Sequence, residues 1–207
     1  IMQESWKSLE DAGYNPKSLQ NQPVGLFIGA EPSGYFHESF TGASDAIIAS
    51  RLSYYLNLKG PALVVNTGCS SSAVALHLAC ESVRQQQSTL ALAGGVYATM
   101  DQTGLSPLAK TGMLSPTGQC LTFDKHANGT VLSEGVAMLV VKRLDQAEAD
   151  GDPIHGVIVA SGMNQDGASN GITAPSGSAQ QALITEVYQR NNIRPEQIRY
   201  VEGHGTG

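Results

Sequence analysis

Two rhythms of apolar and polar positions run along this chain, and the switches between them outline its elements. Continuous apolar runs at 23–29, 62–65 and 90–96 leave no room for the alternation of a half-exposed sheet, so they read as strands covered on both faces. Further runs at 136–144, 156–162 and 198–202 read as strands as well. Between them the spacing turns helical. Met2, Trp6 and Leu9 share one face of an opening helix that stops at Gly13. Ile47, Ile48, Leu52, Tyr55 and Leu56 mark a helix over 43–56, closed by Gly60-Pro61. A third helix is expected over 71–84, a short polar one over 145–150 and another over 180–191. The stretches 31–41 and 101–123 read as loops, the second long enough to border a site. Strands alternating with helices predict an α/β fold with a mostly parallel, covered sheet, and no internal repeat is visible. Within the 90–96 strand, the paired Gly94 and Gly95 permit another backbone to approach closely.

The strand at 62–65 stops at Asn66 and the helix starts near Ser71, which puts Cys69 on a strand-to-helix turn. The positive end of a helix stabilises an anion, and a thiolate is the anion that a nucleophilic cysteine needs. Gly68 would relieve a sharp turn, and Ser70, Ser71 and Ser72 offer capping hydroxyls. Position alone leaves a second reading open, in which Cys69 is a small buried hydrophobe.

Composition narrows the field. Of 207 residues 41% are hydrophobic and only 14% charged, enough for one domain with a sizeable core. A net charge of −6 and the lack of a Lys/Arg cluster argue against a nucleic-acid surface. Three cysteines, Cys69, Cys80 and Cys120, show no CxxC spacing, so neither a disulfide framework nor a metal site is indicated and a reducing cytoplasm fits. Cys80 and Cys120 read as structural. No signal peptide and no apolar run near the roughly 18 residues of a membrane span appears. The chain opens on a helix in progress and breaks off inside a motif, as an excerpt of a longer protein would.

Several motifs carry a resemblance. Thr67-Gly68-Cys69-Ser70-Ser71-Ser72-Ala73-Val74-Ala75-Leu76-His77 resembles the D-T-A-C-S-S-S-L-V-A-L-H active-site run of β-ketoacyl synthase (ketosynthase) domains, with Asn66 in place of Asp and Gly68 in place of Ala. Residues 50–61 resemble the segment that precedes that strand in the family. The run from Leu114-Ser115-Pro116 to Cys120-Leu121-Thr122-Phe123-Asp124 resembles L-S-P-x-G-x-C-x-x-F-D, and 127–135 resembles A-D-G-[FY]-V-x-G-E-G, with Asn128, Thr130 and Ser133 as departures. Asn164-Gln165-Asp166-Gly167 and Asn170-Gly171-Ile172-Thr173-Ala174-Pro175 match a family loop, and Glu202-Gly203-His204-Gly205-Thr206-Gly207 resembles E-A-H-G-T-G-T. Taken alone, His204 is a histidine at the carboxyl end of the last strand, and flanking glycines would let substrate reach it. Of the others, His77 is expected to be packed, and His37, His126 and His155 superficial. Glu134 is either a carboxylate supporting the site or a strand-edge charge, with a structural role preferred.

The resemblance implies a thiolase-like α-β-α-β-α layered fold, truncated, with about 1–152 forming most of the first half and about 153–207 starting the second. It also implies a homodimer and a decarboxylative Claisen condensation. Cys69 would carry an acyl chain as a thioester, His204 would stabilise the enolate of a malonyl-type extender, and Thr206 would contact the pantetheine arm. No cofactor is bound directly in that scheme. The phosphopantetheine belongs to an acyl carrier protein, and the partners are that protein and its acyl and malonyl-type thioesters. The family's second histidine and its lysine would lie beyond Gly207, so the fragment by itself is not expected to condense. The wording of 42–44, 49–53 and 164–175 is most similar to modular type I polyketide synthases, those served by a separate acyltransferase included. A fatty-acid ketosynthase, a non-elongating acyl-transfer or binding module, and a cysteine hydrolase using Cys69 and His204 are the other readings.

Overall fold

The three apolar runs expected to be strands around Cys69 pair directly. They form β1 (Val24–Ala30), β2 (Ala62–Val65) and β3 (Leu90–Tyr97), joined by β4 (Gly135–Val141) in a sheet of order β2-β1-β3-β4. β1 runs parallel to both neighbours, with Leu26 opposite Ala62 and Val24 opposite Leu90, whereas β4 returns antiparallel, with Ala91 opposite Val141. These coordinates are a computed structural model describing residues 1–32, 39–99, 105–171 and 173–207. They divide into two compact units, Ile1–Ile154 with His204–Gly207, and His155–Gly203.

In the first unit the period of two within β1 sends side chains to both faces. Leu26 and Ile28 share one buried cluster with Leu9 of α1 (Met2–Asp11). Past α2 (Phe40–Ala43), the same layer takes Ala49, Leu52 and Leu56 of α3 (Ile47–Leu56). Phe27 points the other way, onto Ala75, Ala79 and Val83 of α4 (Ser71–Arg84). Each fully buried Leu or Ile contributes about 1.5–3 kcal/mol by leaving water. Two glycines let α4 lie directly on the sheet. A Cβ on Gly29 would stand 2.4 Å from the Ser71 carbonyl carbon, and one on Gly95 2.8 Å from Ser72 Cβ.

Several boundaries differ from expectation. β2 is half exposed rather than covered, with Leu63 46% accessible, because it is the sheet's edge and has only β1 beside it. α3 starts four residues later than its periodicity allows and ends at Asn57 (φ 53), whose N–H reaches back to Ser53 and Tyr54, before Gly60-Pro61 is reached. Inside the expected 101–123 loop lies α5 (Leu105–Lys110), with Pro107 in its first turn, where a helix needs no backbone N–H. β4 ends at Val141, and α6 (Leu144–Asp150) follows. The part of the 31–41 loop at 33–38, which includes His37, lies outside the described residues.

An ionic knot closes this unit. Lys142 Nζ donates to Asp152 Oδ2 at 2.6 Å, to Asp150, and to the Tyr14 hydroxyl at 2.8 Å, and Tyr14 in turn donates to Asp152 at 2.8 Å. The end of α1 is thereby fastened to the end of β4.

The second unit is built on α7 (Gly177–Arg190) and a 3-10 turn at Pro195–Gln197. Asn164 Nδ2 donates to the Ala179 carbonyl at 2.8 Å, and Asp166 accepts from the Ser176 amide at 3.1 Å, so the 164–175 loop is moored to the start of that helix. The strands expected at 156–162 and 198–202 do not form. A strand is stable only beside a neighbour, and neither run has one among the described residues, so Val159 (66%) and Tyr200 (78%) stand exposed.

Candidate active site

Cys69 sits where the sequence places it, in the turn between β2 and α4, and its thiol is exposed rather than buried among apolar side chains. The turn is held by short polar residues that bond to its own backbone. Asn66 Oδ1 accepts from the Gly68 amide at 3.1 Å, an Asx turn that aspartate would make equally. Gly68 adopts φ +66, in the left-handed region that glycine enters without strain. The serines act differently from the capping expected of them. Ser71 Oγ accepts from the Thr67 amide at 2.9 Å and donates to the Gly68 carbonyl at 2.6 Å, while Ser70 Oγ donates to the Thr67 carbonyl at 3.0 Å. The N-cap, Ser70, makes no side-chain cap bond, which leaves the positive end of a 14-residue helix directed at the cysteine. Sγ has no hydrogen-bond partner among the described residues.

His204 belongs to the same unit as Cys69 but is not delivered by a strand, since none forms at 198–202. A loop holds its segment instead. Thr122 Oγ1 donates to the carbonyl of Gly205, and Gly207 lies on Gly129 so tightly that a Cβ there would meet the Gly129 oxygen at 2.3 Å. That loop is a closed structure, zipped by Ser115 N–H to Thr130 O and Thr130 N–H to Met113 O, both 2.9 Å. The His204 ring is exposed, and neither it nor the exposed Thr206 hydroxyl has a polar partner among the described residues.

Glu134 serves as a strand-edge acceptor, taking the Thr99 amide at 2.6 Å across the mouth of β3 and β4. Cys80 is buried, and burial pushes its thiol pKa up. Cys120, expected to be structural without an activating partner, is exposed. The Thr122 hydroxyl, then that of Thr130, hold its thiol below the ordinary value. Sequence reasoning missed Thr122 altogether. Nothing in a Cys-Leu-Thr-Phe spacing announces a hydroxyl that reaches a carbonyl 83 residues away. His126 and His155 are exposed, and His77 is half-buried on α4.

Among the described residues no group of His, Cys, Asp and Glu is arranged to hold a metal, and no helix is long and apolar enough to cross a membrane.

A cysteine at the head of a helix seated on a layered α/β sheet defines the thiolase-like architecture, and the solved structures that superpose on this chain share it. The chain belongs to the β-ketoacyl synthase family, its residues 1–147 matching the N-terminal domain and 155–207 the C-terminal domain. A ketosynthase from module 6 of the bacillaene synthase of Bacillus subtilis is 47% identical over 99% of this chain, with a TM-score of 0.95. The oxazolomycin ketosynthase domain OzmH KS7 of Streptomyces albus is 36% identical over 100%, with a TM-score of 0.93. Among curated relatives, polyketide synthases PksL of Bacillus subtilis and GfsA of Streptomyces halstedii are each 46% identical across the whole chain. The chain spans 36% of the first of those structures, and 5% and 3% of the two synthases.

Proposed function

We propose that this chain is the nucleophile-bearing part of a β-ketoacyl synthase domain in a modular polyketide synthase, and that Cys69 accepts the growing acyl chain. The observation that carries this reading is the exposed, unpartnered Cys69 thiol at an uncapped helix N-terminus, in a chain whose full length matches ketosynthases. Attack of the thiolate on an acyl-pantetheine thioester forms acyl-Cys69 and releases the pantetheine thiol, with the turn's backbone N–H groups available to the oxyanion. A malonyl-type thioester on an acyl carrier protein then loses its carboxylate as carbon dioxide. The electron pair of that broken bond becomes an enolate, which His204 stabilises. The enolate carbon attacks the acyl carbonyl, a carbon–carbon bond forms, and Cys69 leaves as thiolate. Thr206, exposed two residues from His204, donates to the pantetheine arm in this reading.

The partners in this reading are an acyl carrier protein that brings the phosphopantetheine, and a second copy of the domain. The exposed edge of β2, where backbone groups lack a neighbouring strand, supports pairing between copies. A cytoplasmic setting fits thiol chemistry at Cys69. Residues 1–152 and 153–207 are read as parts of the two halves of the thiolase-like domain.

Intact mass of the complete domain tests the assignment. An acyl-pantetheine thioester should add one acyl mass that Cys69→Ala abolishes, and malonyl carrier protein should then discharge it as an elongated product. Loading without elongation would make the domain an acyl-transfer module. Absence of loading would overturn the assignment of Cys69.

A further inference from the structure

The His204 imidazole has no polar partner of its own among the described residues, so its direction depends on how its backbone is held. The neighbouring carbonyl, that of Gly205, receives the Thr122 hydroxyl, and Gly205 itself sits at φ +65. The residue after Thr122 is strained. Phe123 adopts φ +63, a conformation that costs an aromatic residue about 1–2 kcal/mol, and leaves its ring 91% exposed, so the aromatic side chain gains little in exchange. Backbone strain of this kind persists only where the surroundings fix it, and here it lies one residue from the Thr122 bond to Gly205. Gly129, against which Gly207 is pressed, closes the other end of the segment.

We propose that Thr122 is a positioning residue for His204, its hydroxyl setting the backbone from which the imidazole reaches the malonyl-type extender. The proposal rests on the reading of His204 as the enolate-stabilising group. A displacement of about 1 Å at such a group costs on the order of a hundredfold in rate. Thr122 has no part in the attack of Cys69 on an acyl thioester, so only one of the two chemical steps should respond to its loss.

The experiment uses the complete ketosynthase domain, an acyl-pantetheine thioester to load Cys69, and malonyl carrier protein to drive decarboxylation. Thr122→Val, which keeps the shape and deletes the hydroxyl, should lower the decarboxylation kcat about 10- to 100-fold. KM for malonyl carrier protein and the Cys69 loading rate should each stay within about twofold. Thr122→Ser should recover most of the rate. In a His204→Ala background Thr122→Val should change nothing further, which a general structural role would not produce. Equal loss of loading and decarboxylation in Thr122→Val, or additive losses in the double variant, would overturn the proposal. If His204→Ala abolishes decarboxylation while Thr122→Val is unimpaired, the Thr122 proposal alone fails. If His204→Ala decarboxylates normally, the His204 reading fails first and takes this one with it.

Discussion

The two residues near Cys69 that depart from the family's wording are each explained by one geometric fact. Asn66 keeps the acceptor that position supplies to the turn, its Oδ1 to the Gly68 amide, so Asn66→Asp should leave stability within about 0.5 kcal/mol and loading of Cys69 unchanged. Asn66→Ala, which removes the acceptor, should cost about 1 kcal/mol by thermal or urea unfolding. Gly68 has open space around it but φ +66, so a side chain there meets no neighbour and still strains the backbone. Gly68→Ala should destabilise by about 1 kcal/mol in the same measurement. That Cys69 lies on a turn was legible in the sequence, because an apolar run ends and helical spacing begins within six residues. The way the turn is fastened was not. Ser70 and Ser71 look like caps in any sequence, and only the folded backbone shows them bonding backward to Thr67 and Gly68.

The sheet's strands follow the apolar runs wherever a neighbour exists, and fail where none does. β1 and the first half of β3 are readable because both faces are covered, so every position there is apolar. β2 was misjudged as buried because edge position is a property of strand order, which no local pattern encodes. The runs at 156–162 and 198–202 have the composition of strands and no partner to pair with among the described residues. Elements also define how α4 is seated. Its first turn rests on Gly29 and Gly95, so Gly29→Ala, whose Cβ would need the space of the Ser71 backbone, should lift the helix. A loss of about 1–3 kcal/mol in stability and a slower acyl loading of Cys69 by intact mass are expected together. The knot of Lys142 with Asp150, Asp152 and Tyr14 fastens α1 to β4 through a lysine side chain only 11% exposed. Burial acts to lower the Lys142 pKa, but its bonds to Asp150, Asp152 and Tyr14 outweigh it and raise it above the lysine range, while the Lys142 bond holds Asp150 below the carboxylate range. The Asp150 share of stability is therefore present above the ordinary carboxylate pKa of about 4 and lost as pH falls through its lowered value. The Lys142 share is complete below about 10.4 and lost only as pH rises past its raised value. Lys142→Met should cost about 2 kcal/mol and speed hydrogen exchange in α1 at pH 7, an effect that fades below pH 4.

For the molecule as a whole, surface is the governing quantity. Large apolar residues stand exposed in each unit, such as Leu139 at 52% on β4 and Val159 at 66% on the unpaired runs. The isolated 207 residues should therefore bind a hydrophobic dye and form aggregates larger than a dimer in light scattering, while a complete ketosynthase domain should bind little dye and scatter as a discrete dimer. No condensation product is expected from the isolated chain. The mostly parallel α/β sheet, the turn that carries Cys69 and the order of the motifs were legible in local runs, whereas the layered architecture followed from the resemblance of those motifs to a family. What holds His204 was not, because it depends on a loop meeting the chain 83 residues later. Finally, of three cysteines only Cys80 is hidden, and both Cys69 and Cys120 face solvent. An alkylating tag used to count working sites would thus consume two equivalents per chain, and an occupancy inferred from total label would be twofold too high. Only the fraction of label excluded by prior acylation reports on the reacting sulfur.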